Sequence, residues 1–448
     1  LALVTDADMA EVAWLPASLL DEAKVAEALG ALFGSDRALA GHGTKALIRH
    51  LLGRGIAVRD LALDTQLGAY LLDPAEARYV LDELVLRYAQ FELPGDDGAA
   101  EGQLDLDGTA TPVAQVAARH ALAVAKLAGP MLDALDAQGL RELNDSIEVP
   151  LVRVLAKMEH VGVGVDVDRL TALRDELSSE AERLRQLVVD DAGEEFNVNS
   201  TKQLREILFE ELGLAPQKKT KTGSSTDAAS LEQLAGEHPL VDHLLRYREV
   251  ETLRSTYGEG LLAEVGIDDR SHAAFNQTVA RTGRLCSDRP NLHNIPVRTE
   301  EGRAFRKAFV PAEGFEFLVA DYNQIELRCI AHLAEDPGLI EAFRSGTDVH
   351  DRNAAAIFGT APGEVTVEQR SRAKMVSYGL AYGMEAFGLG RRLGIPTGEA
   401  QEILDAYFEA FPAVHVYMDR TVAEARERGY TETLFGRRRK IPELASGN

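Results

Sequence analysis

Cysteine is nearly absent from this chain of 448 residues, which contains only Cys286 and Cys329. Two cysteines exclude a disulfide framework and a cysteine-ligated zinc cluster, and they are typical of a reducing compartment. The sequence also lacks any run approaching the ~18 apolar residues that a membrane span needs. It does not open with the charged and then apolar segment of a secretion signal. The length predicts two or three domains with ample core.

Basic residues are also few, because 48 Lys and Arg are outnumbered by 72 Asp and Glu, which gives a formal net charge of −24. A chain this acidic is not expected to coat nucleic acid indiscriminately. A protein that holds DNA in a cleft needs only local positive potential. One basic stretch, residues 218–221, lies in a loop rich in Gly, Ser and Thr. It is either a solvated loop or a contact to a DNA backbone.

Four residues at helical spacing form the most informative pattern: Arg370, Lys374, Tyr378 and Tyr382, at i, i+4, i+8 and i+12. A helix turns ~100° per residue, so all four share one face, with two cations followed by two aromatic rings. Lys374 and Tyr382 are separated by about 12 Å of helix rise. That length matches the distance from the outer phosphates of a nucleoside triphosphate to its base. The alternative is a solvated cationic face with tyrosines that belong to the core.

A second pattern lies upstream, where residues 315–321 alternate Phe315, Phe317 and Val319 and end on Asp321. This pattern predicts a half-buried strand, and helical spacing begins again after Tyr322. A carboxylate on a rigid element suits Mg²⁺, which takes one or two carboxylates together with substrate phosphates. The alternative is an Asp that only caps the helix after it.

Several segments, taken together, resemble motifs of the family A DNA polymerases, the group that includes bacterial DNA polymerase I. The resemblance covers residues 140–448 well and the first third of the chain weakly. The matching segments, in the order in which the family has them, are residues 196–204, 253–257, 275–277, 282–285, 290–298, 300–303, 321–328, 348–350 and 370–383.

The resemblance implies an α+β multidomain fold, in which an α/β exonuclease-like N-terminal domain precedes a thumb, palm and fingers polymerase body. The implied domains are 1–140, a degenerate 3′→5′ exonuclease-like domain; 141–270, the thumb; 271–333, the first part of the palm; 334–412, the fingers; and 413–448, the start of the return into the palm. The acidic, Gly-rich residues 95–108 are expected to form a loop or linker. The family's last palm motif, which supplies a second metal-binding Asp, is expected beyond Asn448, so the chain is expected to be truncated there. A start at Leu1 rather than Met suggests that a segment precedes it.

The exonuclease-like domain departs from the family pattern at its metal ligands. Leu47 stands where the second carboxylate motif has Asp, and Leu122 stands where the third has Asp. Two-metal nuclease chemistry needs several carboxylates, because both the attacking and the leaving oxygen must be stabilised. Leucine cannot ligate Mg²⁺, so we expect a domain that does not proofread, in which Asp64 marks the fold and holds no metal.

The resemblance implies template-directed DNA synthesis, the addition of dNTPs to a primer 3′-hydroxyl in DNA replication and repair. This is a nucleotidyltransferase reaction with two Mg²⁺ ions, one of whose carboxylates is not in this chain. Asp321 and the main-chain carbonyl of Tyr322 would bind metal, and Arg370, Lys374 and His350 would hold the outer phosphates, so that Asp321, Lys374 and Arg370 are the catalytic residues. The other implied dNTP-binding residues are Tyr378, Tyr382, Gln324 and Glu326. The implied DNA-binding residues are Arg284, Asn291, Asn294, Lys218, Lys219 and Lys221.

Primer–template DNA and dNTPs are the implied partners, and the implied protein is a cytoplasmic, nucleoid-associated bacterial monomer that uses no membrane. Asn323 replaces the family's usual Ser, His293 replaces its usual Gln, and Tyr378 stands where many members have Phe. One alternative is a fragment that binds primer–template without catalysis, because the last carboxylate motif is missing. Another is a single-subunit RNA polymerase, against which Glu326 in the ribose-excluding position argues.

Overall fold

The computed structural model describes residues 1–92, 112–220, 223–297, 299–361 and 363–445, with the side chains of 219, 220 and 445 excepted. The linker expected at 95–108 lies outside these residues. The chain divides into two compact units, the first formed by Leu1–Phe317 with Phe435–Arg437 and the second by Leu318–Leu434 with the residues from Arg438 onward. The finer domain boundaries expected from the sequence stay predictions.

The first part of unit 1 is a small α/β body. Leu61 and Leu63 are buried in a strand that pairs in parallel with residues 39–41. Residues 2–6 and 11–14 form an antiparallel hairpin. The elements are β1 (Ala2–Asp6), β2 (Glu11–Trp14), α1 (Ala23–Phe33), β3 (Leu39–Gly41), α2 (Thr44–Leu52), β4 (Leu61–Asp64), α3 (Thr65–Leu72), α4 (Leu81–Leu84) and α5 (Val113–Ala137).

The rest of unit 1 is helix-rich with short strands. Leu170, Leu177 and Leu184, at seven-residue intervals on the helix Val167–Ala192, are all buried, so one face of this helix belongs to the core. A three-stranded antiparallel sheet has the strand Val163–Val165 in its centre, between Phe309–Val310 and Arg270–Ser271. The elements are α6 (Arg141–Leu143), α7 (Val149–Val161), β5 (Val163–Val165), α8 (Val167–Ala192), α9 (Thr201–Arg205), β6 (Lys219–Thr220), β7 (Gly223–Ser224), α10 (Ala228–Glu232), α11 (Pro239–Leu253), α12 (Gly260–Ala263), β8 (Arg270–Ser271), β9 (Ala274–Asn276), β10 (Cys286–Asp288), α13 (Glu300–Arg306) and β11 (Phe309–Val310).

Two buried glutamates connect distant parts of unit 1. Glu159 on α7 accepts from the Phe275 N–H at 2.7 Å and pairs with Lys45 of α2. Glu148 accepts from Gln277 Nε2 at 2.7 Å and pairs with Arg437. Each glutamate is only 3% exposed, so its charge depends on these partners.

Unit 2 is a helical bundle around one core. Prolines begin three of its helices, since Pro337 and Pro412 lie in first turns and Pro396 is an N-cap. The elements are α14 (Ile325–Ala334), α15 (Pro337–Arg344), α16 (Val349–Phe358), α17 (Val367–Ala381), α18 (Ala386–Leu393), α19 (Thr397–Ala410), α20 (Pro412–Arg428) and the antiparallel pair β12 (Tyr430–Glu432) and β13 (Arg438–Lys440).

The prediction of a strand at residues 315–321 is wrong. The segment is not assigned to any strand, and Phe315, Leu318 and Val319 are 73%, 93% and 91% exposed. Alternating apolar residues become a buried strand only when a neighbouring strand supplies hydrogen bonds and a second layer covers one face. No strand among the described residues pairs with this segment.

Candidate active site on the face of α17

Helix α17 begins with a capping box. Thr366 Oγ1 accepts from the Gln369 N–H at 3.1 Å, and Gln369 Oε1 accepts from the Thr366 N–H at 3.0 Å. Ala373, Val376 and Leu380 form its buried face. The helix is therefore fixed in position by its core side and its first turn, and the opposite side remains available.

The predicted stripe is confirmed for its first three members. Arg370, Lys374 and Tyr378 lie within α17, and Tyr382 is its C-cap, with its N–H bonded to the Tyr378 carbonyl at 3.2 Å. Lys374 is exposed, Tyr382 is 62% exposed, and Arg370 and Tyr378 are half-buried. The alternative, in which the tyrosines belong wholly to the core, does not hold for Tyr382.

Arg370 is paired with two carboxylates that the sequence analysis did not single out. Its Nη2 donates to Asp348 Oδ2 at 2.6 Å, and its Nε lies 3.1 Å from Asp351 Oδ1. Burial alone would raise the pKa of Asp348, but the hydrogen bonds from Arg370 and from the His350 N–H lower it overall. The sequence feature that could have identified them is the pair of Asp348 and Asp351, which lie three residues apart on either side of His350 at the start of a helix.

His350 lies inside unit 2 at 3% exposure, not at the surface. Its ring centroid is 5.9 Å from that of Tyr378, and its Nδ1 has no hydrogen-bond partner among the described residues. Burial lowers the pKa of His350, Asp348 raises it by less, and Arg370 lowers it further. The side chain is therefore a buried ring next to Tyr378, in surroundings that favour its neutral form.

Glu326 and Asp321 come from a different segment and lie near Tyr378. Helix α14, which carries Glu326, packs against α17. Burial raises the pKa of Tyr378, and the charges of Glu326, Tyr382 and Asp321 raise it further. Gln324, the residue before α14, has a left-handed backbone with φ of 55° and makes no side-chain cap. The charges of Asp321 and Glu326 therefore act on the phenol of Tyr378.

Asp321 and Tyr322 are exposed, and Asp321 does not cap α14, whose N-cap is Gln324. The alternative assignment of Asp321 as a helix cap is therefore wrong. Within the described ranges no group of three His, Cys, Asp or Glu side chains could enclose a metal ion. One carboxylate beside a main-chain carbonyl fits Mg²⁺ only as part of a site that substrate phosphates and water complete.

A buried polar contact, also missed from the sequence, joins α16 to α17. Asn353 Nδ2 donates to Ser377 Oγ at 2.9 Å, and Ser377 Oγ donates to the Ala373 carbonyl at 2.9 Å. Asn353 and Ser377 are both buried. Polar groups so placed cost free energy unless they pair, so they hold these two helices in one register. That register places Asp348 next to Arg370.

The expected DNA-binding residues lie in unit 1. Arg284, Asn291 and Asn294 are exposed around β10. Lys218 has an exposed side chain with its Nζ 3.6 Å from Asp227 Oδ2. The side chain of Lys219 and the whole of Lys221 lie outside the described residues. His293 has a structural role, because its Nδ1 accepts from the Ser287 N–H at 2.9 Å.

The N-terminal part of unit 1 has a cavity of about 1220 Å³, and Leu47 lines it. Asp64 is buried at the start of α3, and donors occupy both of its oxygens. Oδ1 accepts from the Gly43 and Gln66 N–H groups at 3.1 and 2.9 Å. Oδ2 accepts from the N–H and the hydroxyl of Thr44, each at 2.6 Å. Asp64 therefore holds the start of α2 against the start of α3.

The profile of DNA polymerase family A matches residues 167–448. Since this match covers more than half of the chain, the chain belongs to DNA polymerase family A. Its mixed helical and sheet structure is similar to the solved POL domain of Pol1 from M. smegmatis in complex with DNA primer-template and dNTP. That similarity has a TM-score of 0.87 at 40% identity and covers 98% of this chain and 74% of that chain.

Curated relatives are bacterial enzymes named DNA polymerase I. The one from Mycobacterium tuberculosis strain H37Rv is 45% identical over 416 residues, which is 91% of this chain and 46% of that protein. The one from Geobacillus stearothermophilus is 43% identical over 403 residues, 88% of this chain and 45% of that protein. The chain thus spans about half the length of the curated relatives it matches. No helix of the described residues is both long and apolar enough to cross a membrane.

Proposed function

We propose that this chain carries the dNTP-binding part of a DNA-directed DNA polymerase, a nucleotidyltransferase of DNA replication and repair. The observation that carries the proposal is the α17 face, with Lys374 and Arg370 at one end and Tyr378 and Tyr382 at the other. In this proposal residues 1–140 are a degenerate exonuclease-like domain, and 141–270, 271–333 and 334–412 are thumb, first part of the palm and fingers. Residues 413–448 begin the return into the palm.

The cationic end of α17 would bind the triphosphate. Lys374 is exposed, and no carboxylate of the described residues lies within ion-pair distance of it, so its ammonium can donate to a phosphate oxygen without losing a protein partner. The planar guanidinium of Arg370 suits a bidentate phosphate contact. His350 would reach a phosphate only after leaving its buried position. In phosphoryl transfer such fixed cations stabilise the charge that builds on the phosphoryl oxygens.

The aromatic end would bind the sugar and base. Tyr378 would stack beside the sugar, and Tyr382 would lie against the templating base pair. Glu326 lies near enough to Tyr378 for its charge to act on the phenol. It would close the space that a ribose 2′-hydroxyl needs, which favours deoxynucleotides, and Gln324 would lie near the nascent pair.

Asp321 and the carbonyl of Tyr322 would hold Mg²⁺ together with substrate phosphates. The bound ion would neutralise phosphate charge and activate the primer hydroxyl, the usual contribution of metals to this chemistry. Asp321 itself supplies the fixed negative charge, and its exposure leaves it accessible to a metal–nucleotide complex.

Primer–template DNA is the proposed second partner. Arg284 would reach the primer terminus, and Asn291 and Asn294 would contact the duplex beside it. Lys218, Lys219 and Lys221 would contact the DNA backbone, a sequence-independent interaction that weakens with salt. Because the named relatives are bacterial DNA polymerases, we place the protein in the bacterial cytoplasm at the nucleoid, acting as a monomer.

The second candidate is a body that binds primer–template without catalysis. The absence of a three-ligand metal cluster from the described residues favours it for this chain by itself. Two measurements on the 448-residue chain separate the candidates: fluorescence anisotropy with a labelled primer–template, and primer extension with Mg²⁺ and dNTPs. We expect salt-dependent binding without extension. Extension that Asp321→Ala abolishes would establish catalysis by this chain, and an absence of primer–template binding would contradict both candidates.

A further inference from the structure

The guanidinium of Arg370 is engaged along one edge by two different carboxylates. Nη2 donates to Asp348 and Nε contacts Asp351, at 2.6 and 3.1 Å. These two nitrogens form the edge that a single carboxylate or phosphate would take bidentately. Hydrogen bonding to Asp348 raises the pKa of Arg370, so the group stays fully charged. Any phosphate that takes this edge must displace at least one carboxylate.

The carboxylates of Asp348 and Asp351 have different structural roles. Asp348 is the N-cap of α16, and its Oδ1 accepts from the N–H groups of His350 and Asp351 at 2.8 and 3.4 Å. Its position therefore depends on the helix start and not on Arg370. The Asp351 carboxylate is half-exposed, and Arg370 is its only ion-pair partner among the described residues. Asp351 can therefore leave Arg370 without breaking a helix cap.

The local charge is balanced before any phosphate arrives. Arg370 and Lys374 are the cations of the α17 stripe, Asp348 and Asp351 are the carboxylates that contact Arg370, and burial lowers the pKa of the neighbouring His350; Arg372 and Glu368, on the same helix, pair with each other. We propose that Asp351 is an affinity- and specificity-determining residue of the triphosphate site, because it occupies the Nε of Arg370 until a multiply charged phosphate chain displaces it. The inference rests on the proposed function, since it assumes that Arg370 binds phosphate.

The test uses the full 448-residue chain and inorganic tripolyphosphate as the probe, with binding measured by calorimetry at low and at physiological salt. Asp351→Asn should tighten binding about two- to fivefold, the range of an exposed ion pair. Asp351→Glu should restore the wild-type affinity. Glu368→Gln is the matched control, because it removes one negative charge from α17, the helix that carries Arg370, where Glu368 pairs with Arg372 at 2.8 Å. It should change the affinity less than Asp351→Asn does.

A double-mutant comparison isolates the contact. In an Arg370→Ala background, Asp351→Asn should increase the affinity for tripolyphosphate no more than Glu368→Gln does. The guanidinium edge for which Asp351 and phosphate compete is absent from that variant. If Arg370→Ala weakens binding but Asp351→Asn does not tighten it, this inference fails and the proposed function stands. If the tightening persists without Arg370, a general charge effect replaces the inference. If Arg370→Ala and Lys374→Ala bind as tightly as wild type, or no variant binds at all, the proposed phosphate site fails and the inference fails with it.

Discussion

Lys374→Ala should remove most of the affinity of this chain for a deoxynucleoside triphosphate. Lys374 is exposed at the middle of α17 and has no carboxylate of the described residues to release, so its contact to phosphate is a net gain. A charge-assisted hydrogen bond of this kind contributes about 1.5–3 kcal/mol, which corresponds to a factor of about 10 to 150 in affinity. Arg370→Ala should cost less, because Arg370 exchanges existing ion pairs for the phosphate contact.

The assay is a titration of a fluorescent dNTP analogue into the wild-type chain and its variants. Arg372→Ala is the matched control, since it removes a cation from the same helix whose charge is already paired with Glu368. Higher salt should narrow the difference between wild type and Lys374→Ala, because exposed charges are screened. Equal affinities for wild type and Lys374→Ala would refute the reasoning, and so would a loss in Arg372→Ala of the same size.

Three further predictions concern the sugar contact, the buried ion pair and the N-terminal cavity. In a catalytically active enzyme that contains this chain, Tyr378→Phe should widen the preference for deoxy- over dideoxynucleotides about ten- to a hundredfold. The phenol hydroxyl would take the hydrogen-bonding place that a missing 3′-hydroxyl leaves empty, and the variant loses that hydrogen bond of ~1.5–3 kcal/mol. An unchanged ratio of incorporation efficiencies would mean that Tyr378 only packs. Glu148→Ala should destabilise the chain by about 3–5 kcal/mol, since it removes the carboxylate that pairs with Arg437, whose side chain is only 12% exposed, and urea denaturation should show no comparable effect for the exposed Glu142→Ala. Leu47→Asp should not produce Mg²⁺-dependent shortening of a mismatched primer from its 3′ end, and such shortening would contradict the structural role assigned to this domain.

The pattern on α17 was accessible from the sequence because it is local. Helical periodicity depends only on residue spacing, and the capping box at Thr366 and Gln369 is equally local. The helical spacing after Tyr322, where α14 begins at Ile325, has the same origin. Such patterns depend on residues within one or two helical turns, so no tertiary contact was needed to predict them.

The strand at residues 315–321 failed for the opposite reason. Alternation at Phe315, Phe317 and Val319 specifies only that one face could be buried, and burial needs a partner strand from elsewhere in the chain. No described strand pairs with the segment, so the same residues are exposed. The burial of His350 was equally inaccessible, because spacing alone cannot show which side chain a neighbouring helix covers.

The sequence by itself was sufficient to recognise the family motifs and to predict the helical face of Arg370, Lys374 and Tyr378. It also showed that Leu47 and Leu122 stand where the family has carboxylates. Each of these is a matter of residue type and spacing. Only the tertiary structure decided that Arg370 is held by Asp348 and Asp351, since those residues precede it by about twenty positions and meet it through the packing of α16 on α17. The interaction energy of a charged group depends on which groups lie near it in space. The ion pairs at the phosphate-binding end of α17 therefore follow from the fold.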